Sequence, residues 1–173
     1  SGDRLHSSST MDVVGNEFVV RKTKITVTRQ TVANTLTNGT DKELHKFQVS
    51  ADAAGAAALK EVTFNIDSDA DLSSFRLKKG GSFMPTGTYT IMDGATDLTA
   101  PGTVTGAFTA VVTFDNEETI SGSGVVYTLT SSVSSIAGDQ VGVDFARTGT
   151  VGPVTDQIDV DVNGNVEIGG NDE

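Results

Sequence analysis

The chain has 173 residues, with no Cys, no Trp, three Pro and 19 Gly, and 12 Lys and Arg against 23 Asp and Glu give a formal charge of −11. That length suits one large domain or two small ones, and it is enough to bury a substantial core. The acidity opposes nucleic acid and anionic membrane surfaces as partners, no run approaches the ~18 apolar residues of a membrane-spanning helix, and the missing Cys excludes disulfides and thiolate metal sites.

Charge is laid out unevenly. Residues 1–48 carry a net +2, residues 49–154 a net −7 and residues 155–173 a net −6. Residues 1–16, with the polar run Ser7-Ser8-Ser9-Thr10, read as a flexible N-terminal segment. A strand pattern opens at Glu17-Phe18-Val19-Val20 and resumes through Ile25 and Val27. Thr37-Asn38-Gly39-Thr40 is a turn signal, because Asn and Gly both tolerate positive φ. Alternation in Leu44–Val49 then puts His45, Phe47 and Val49 on one face of a strand.

The Ala-rich stretch after Ala51 reads as a turn at Asp52–Gly55, followed by a strand from about Ala57 to Asp67. Asp67–Asp71 reads as an acidic loop, and Ser74–Lys78 as the next strand, turned back by Lys79-Gly80-Gly81-Ser82. Further strands are expected at Thr88–Met92, Val104–Phe114, Gly124–Val133, Val141–Arg147 and Ile158–Val162. Turns are expected between them at Asp93-Gly94, Asp115-Asn116, Ser121–Ser123 and Ala137-Gly138-Asp139. Short strands at fairly regular spacing predict an all-β domain over residues 17–154, and no segment has the period of a crossover helix. Residues 155–173 form an acidic strand or hairpin and tail.

The acids offer the only candidate chemistry. Asp159, Asp161 and Asn163, followed by Gly164, match the opening of a calcium loop, but Gly170 stands where such a loop closes with a bidentate Glu. The competing reading is a hairpin whose loop Asn163-Gly164-Asn165 sets Val162 opposite Val166 and Asp161 opposite Glu167. Asp67, Asp69 and Asp71, in an acidic loop between strands, form a second candidate Ca²⁺ site; the competing reading is a solvated turn in which Asp and Ser cap the backbone. His6 and His45 have no paired spacing and no Cys beside them, so neither forms a nucleophilic or histidine metal site. Ser121-Gly122-Ser123-Gly124 is followed by no helix and reads as a flexible turn. With Tyr89 and Tyr127 the only Tyr, an aromatic platform for sugars is hard to build. Nothing here points to an enzyme.

Two stretches carry a resemblance. The first is Leu44-His45-Lys46-Phe47-Gln48-Val49-Ser50-Ala51-Asp52-Ala53-Ala54-Gly55 with Ala58–Ile66 and Ser74–Leu77. The second is Glu118–Leu129 followed by Ile136-Ala137-Gly138-Asp139-Gln140-Val141. Over roughly residues 24–147 the chain resembles the immunoglobulin-like β-sandwich repeat modules of large bacterial secreted or surface-layer-like proteins. The resemblance implies antiparallel strands with Greek-key-type connections and an extracellular or cell-surface setting. It also implies a structural or adhesive role as spacer, lattice or adhesion unit, without catalytic residues. Expected partners are neighbouring copies or modules of the same surface protein, or a host or surface ligand, with no nucleic acid and no membrane insertion. The basic entry segment (Arg21, Lys22, Lys24, Arg29) and the acidic tail would meet head to tail. A calcium-stabilised ligand- or glycan-binding module is the alternative, and a jelly-roll hydrolase the second alternative.

Overall fold

The computed structural model describes residues 23–32, 36–52, 55–135 and 140–145, together with the backbone of Ile158–Val160 and Val166–Ile168. Among these residues every regular element is a strand, as expected of an all-β chain. The strands are β1 (Ile25–Gln30), β2 (Gly39–Ala51), β3 (Ala57–Lys79), β4 (Ser82–Phe83), β5 (Tyr89–Asp93) and β6 (Thr96–Asp97). They continue with β7 (Val104–Ile120), β8 (Val125–Ser134), β9 (Val141–Phe145), β10 (Ile158–Val160) and β11 (Val166–Ile168). All belong to one hydrogen-bonded sheet whose main path runs β1-β2-β8-β3-β7-β5-β6.

The spine of the sheet is β3, 23 residues long. Along one edge it pairs antiparallel with β8 over Asp71–Lys79 and with β9 over Phe64–Ser68, and parallel with β11 over Leu59–Val62. Along the other edge it pairs with β7 and, past a tight turn, with β4. That turn is the expected one at Lys79–Ser82. Gly80 and Gly81 both take positive φ, 58° and 86°, as a two-residue hairpin loop requires.

Two expected turns are corrected. Asp67–Asp71 is not a loop but the middle of β3, and Asp115-Asn116 lies inside β7. Both places are β-bulges. Ser68 pairs with Gly106 and Leu72 with Val104, so three residues of β3 face one of β7. Glu61 pairs with Thr113 and Leu59 with Glu118, so the extra residues there belong to β7. Turn-forming residues fit a bulge for the same reason that they fit a turn: the backbone leaves the regular ladder and bends. Another register shift lies between Ser73 and Arg76, where Ser74 takes a left-handed φ of 50°. The shift exchanges faces, so the buried positions change from Val62, Phe64, Ile66, Ser68, Ala70 and Leu72 to Phe75 and Leu77.

The bent spine brings the β2–β8 flank against the β7–β3–β9 flank. Phe47 of β2 stacks on Tyr127 of β8 at 5.7 Å between ring centroids, and meets Phe64 of β3 and Phe145 of β9 edge-on at 5.8 and 5.2 Å. Neither β3 over that stretch nor β9 is a hydrogen-bonded neighbour of β2, so these rings join opposed surfaces. Val62, Ile66, Leu77, Ile91, Val112, Phe114 and Leu129 complete the same core. Burying an aliphatic side chain of this size contributes about 1.5–3 kcal/mol, and each favourable ring pair adds about 0.5–1.5 kcal/mol. The sequence signals at Glu17–Val20 and Ala137–Asp139 lie outside the described residues.

Candidate functional site

The first acidic candidate is spread along a strand. Asp67 and Asp69 are exposed and Asp71 half-buried, all on the outer face of β3, while Ser68 and Ala70 between them, and Leu72 after them, are buried. Alternate residues of a strand stand about 7 Å apart. Oxygens sharing one Ca²⁺ bind it at about 2.3–2.6 Å. The three carboxylates therefore do not meet at one point. Among the described residues no group of three His, Asp or Glu forms a set able to hold a metal ion.

The second acidic candidate is a hairpin in its backbone, with a different register from the one expected. Ile158 pairs with Ile168, Asp159 with Glu167 and Val160 with Val166. The register is thus shifted by two residues from the one that sets Val162 opposite Val166, and the acid opposite Glu167 is Asp159 rather than Asp161. The apolar positions still share a face, because a shift of two residues keeps parity. Asp161 and Asn163 lie outside the described residues. Glu167 in turn pairs with Glu61 of β3. The backbone therefore lines up Asp159, Glu167 and Glu61 across three adjacent strands.

Three side-chain clusters are visible only in three dimensions. The first surrounds His45, which is 2% exposed. Its Nδ1 lies 3.1 Å from the Val143 carbonyl of β9. A carbonyl only accepts, so Nδ1–H donates and Nε2 carries the lone pair. Nε2 is buried without a partner, among Phe47, Phe64 and Phe145 at centroid distances of 6.0, 5.5 and 5.0 Å. Burial holds the imidazole pKa below its usual value, and the Arg29 guanidinium pushes the same way. The Val143 carbonyl and the Asp144 carboxylate oppose both. His45 is a packed core residue, in keeping with the sheet-face role that its place in the alternation predicts.

The second cluster joins β3, β7 and β8. Tyr127 donates its hydroxyl to Glu118 Oε2 at 3.3 Å, and Lys79 Nζ pairs with the same oxygen. Burial, with the Glu118 charge, pushes the Tyr127 phenol far above its usual range and keeps it a donor. The third cluster roofs β8. Arg76 and Lys78 of β3 reach across β8 to Asp41 and Glu43 of β2, each at 3.3 Å. They can do so because β8 offers small Thr side chains beneath, Thr128 and Thr130 being buried. On the side of β4, the Arg76 guanidinium sits 3.6 Å from the Phe83 ring centroid and Lys78 Nζ 4.9 Å.

Linear spacing could not have found these groups. Lys79 and Glu118 are 39 positions apart, and Arg76 and Asp41 are 35 apart. What joins them is strand order, which a single sequence does not carry. The sites so built pair opposite charges or satisfy buried hydroxyls; none sets a nucleophile beside a base. No protein-family model matches the chain, and no curated protein matches it either.

Proposed function

We propose that the chain is a non-enzymatic structural or adhesive module, an immunoglobulin-like β-sandwich with Greek-key-type connections. It would serve outside the cell or at its surface as a spacer, lattice or adhesion unit. One observation carries this reading: the ion pairs among the described residues tie strand to strand. Asp41–Arg76, Glu43–Lys78, Glu118–Lys79 and Arg29–Asp144 each link two different strands. Supporting it, β2 and β3, like β7 and β8, are consecutive in the chain but separated in the sheet, as crossing connections require. The partners are neighbouring copies, met through the basic entry segment and the acidic tail. Arg29 is half spent on Asp144 within its own chain, which leaves the remaining basic residues of that segment to carry the contact. Sedimentation of the full chain tests this. Self-association should weaken as salt rises from about 0.05 to 0.5 M, where the Debye length shrinks severalfold. Association indifferent to salt would remove the head-to-tail contact.

The row Asp159, Glu167 and Glu61 favours a second reading, a calcium-stabilised module, because a cation relieves like charges set opposite one another. Its test is a calcium titration followed by melting. Tight binding to the folded chain alone would raise Tm by several degrees, reversed by chelator, and an unmoved Tm would end it.

A further inference from the structure

The edge of β3 is covered unequally. β9 pairs with it only over Phe64–Ser68. From Leu59 to Val62 the edge is taken by β11, the one parallel neighbour among the described strands. β11 is delivered within the β10–β11 hairpin, joined to β9 through residues 146–157. Ile158 pairs with Ile168, and Ile168 with Val62, two residues along β3 from the partner of Phe145. The ends of that connection thus stand on the order of 10 Å apart. Its residues reach roughly 40 Å when extended. The tether is several times longer than the contact needs.

The contact is also weak. Asp159, Glu167 and Glu61 stand in one row, and like charges directly opposite destabilise a strand pair. Three ladder positions hold β11 to β3, with a register shift between the first two. A long tether and a weak strand pair favour exchange.

We propose that the Leu59–Val62 edge of β3 is a strand-acceptor site, and that in assembled protein its occupant is the β10–β11 hairpin of a second copy. This deepens the module reading and rests on it. The hydrogen bonds made in cis and in trans are the same, so only the availability of the hairpin decides between them. A tethered segment presents itself at an effective concentration of about millimolar. Dilute chains keep their own hairpin, and copies crowded to that density exchange. Reciprocal donation closes a dimer, and one-way donation extends an array.

The chain has no Cys, so an introduced pair is unambiguous. Paired Cα atoms of neighbouring strands stand about 4.8 Å apart, within disulfide range. The full-length double variant Glu61→Cys/Glu167→Cys, oxidised over a range of concentrations, should give an intrachain bond when dilute. The interchain 61–167 bond should gain about tenfold on it for each tenfold rise in concentration. An equal mixture of the two single variants should yield the 61–167 peptide pair by mass spectrometry, which only two copies can supply. An intrachain bond alone at every concentration overturns the proposal, and so does the absence of any 61–167 bond. Sedimentation equilibrium of the unmodified chain carried up to about millimolar concentration is the check that needs no variant: oligomers are expected to appear as that concentration is approached, and monomer alone throughout overturns the proposal. Salt separates this proposal from the head-to-tail contact. The acidic row is the same in cis and in trans, so salt should leave the cis–trans balance of the hairpin nearly unmoved, whereas it weakens the attraction of basic segment for acidic tail.

Discussion

The two halves of β3 are built from one strand and do opposite things with charge. The N-terminal half, up to Ser68, buries Val62, Phe64 and Ile66 and turns Glu61, Asn65 and Asp67 outward. The C-terminal half, from Asp71, buries Phe75 and Leu77 and turns Arg76 and Lys78 outward. Each base has an acid across β8, whereas Asp67 and Asp69 make no ion pair among the described residues. The difference shows that inward pattern and outward pattern answer to different demands. The inner face is fixed by a shared core, and the outer face by whichever strands lie within reach of a long side chain.

The largest effect should come from testing whether the core is shared at all. Phe64 and Phe75 are both fully buried, one in each half. Phe64→Ala and Phe75→Ala should each cost about 3–5 kcal/mol, with a single denaturant transition in both. Urea titrations followed by fluorescence and by circular dichroism would check this. Two separate transitions would mean that the halves are independent.

The join between the halves comes next. Ser74 holds a φ of 50° while its N–H donates to the Ala100 carbonyl at 3.2 Å. Val is a better strand former than Ser, but a β-branched residue is strained at positive φ. Ser74→Val should therefore destabilise by about 1–3 kcal/mol. A gain in Tm would show that the face exchange does not need a left-handed residue.

The same place marks where the sequence stops being readable. β2, the start of β3 at Ala57, β5, β8 and β9 fall close to their expected positions, because period-2 alternation is a local signal. The acidic segment was misleading because Asp at three alternate positions imitates a turn cluster. Yet Ile66, Ser68, Ala70 and Leu72 continue the inward alternation with smaller residues, and that continuation was the available clue to an unbroken strand. A parity change between Ile66 and Phe75 is required by either a turn or a bulge, and only tertiary pairing separates them. For the second acidic candidate, hairpin type and face were legible, and the register was not, since registers two residues apart preserve the same faces. The pairing of β11 with β3 and the ion pairs across β8 depend on strand order and left no local trace.

A smaller effect should come from acid. His45 ties the β2 flank to the β9 flank through Val143, with its Nε2 unpartnered. Its pKa is lowered on folding, first by burial and then by Arg29, so the unfolded chain binds a proton that the folded chain refuses. Stability is therefore complete above the unfolded value of 6.5 and is lost as pH falls below it, until the folded pKa is reached. The slope is at most about 1.4 kcal/mol per pH unit for one group. His45→Leu should flatten this part of the profile, whatever it does to the plateau. Melting temperatures of both chains between pH 5 and 8 would show it, and an unchanged slope in the variant would assign the acid sensitivity elsewhere.

The smallest effects concern the outer faces with which the comparison began. Arg76→Ala removes a half-exposed ion pair to Asp41 and a guanidinium lying on the Phe83 ring. Exposed pairs are worth about 0.2–1 kcal/mol after screening, and a cation–π contact at the surface about 0.5–1 kcal/mol. A total loss near 1 kcal/mol is expected, and only the ion-pair share should vanish in high salt. Asp67→Asn breaks no ion pair among the described residues and relieves a little repulsion, so stability should stay within about 0.5 kcal/mol of the parent. Parallel denaturation of both variants at low and high salt checks the pair. If Asp67→Asn proved the costlier, the acidic half would have to hold a stabilising partner of its own, and the contrast between the halves of β3 would disappear.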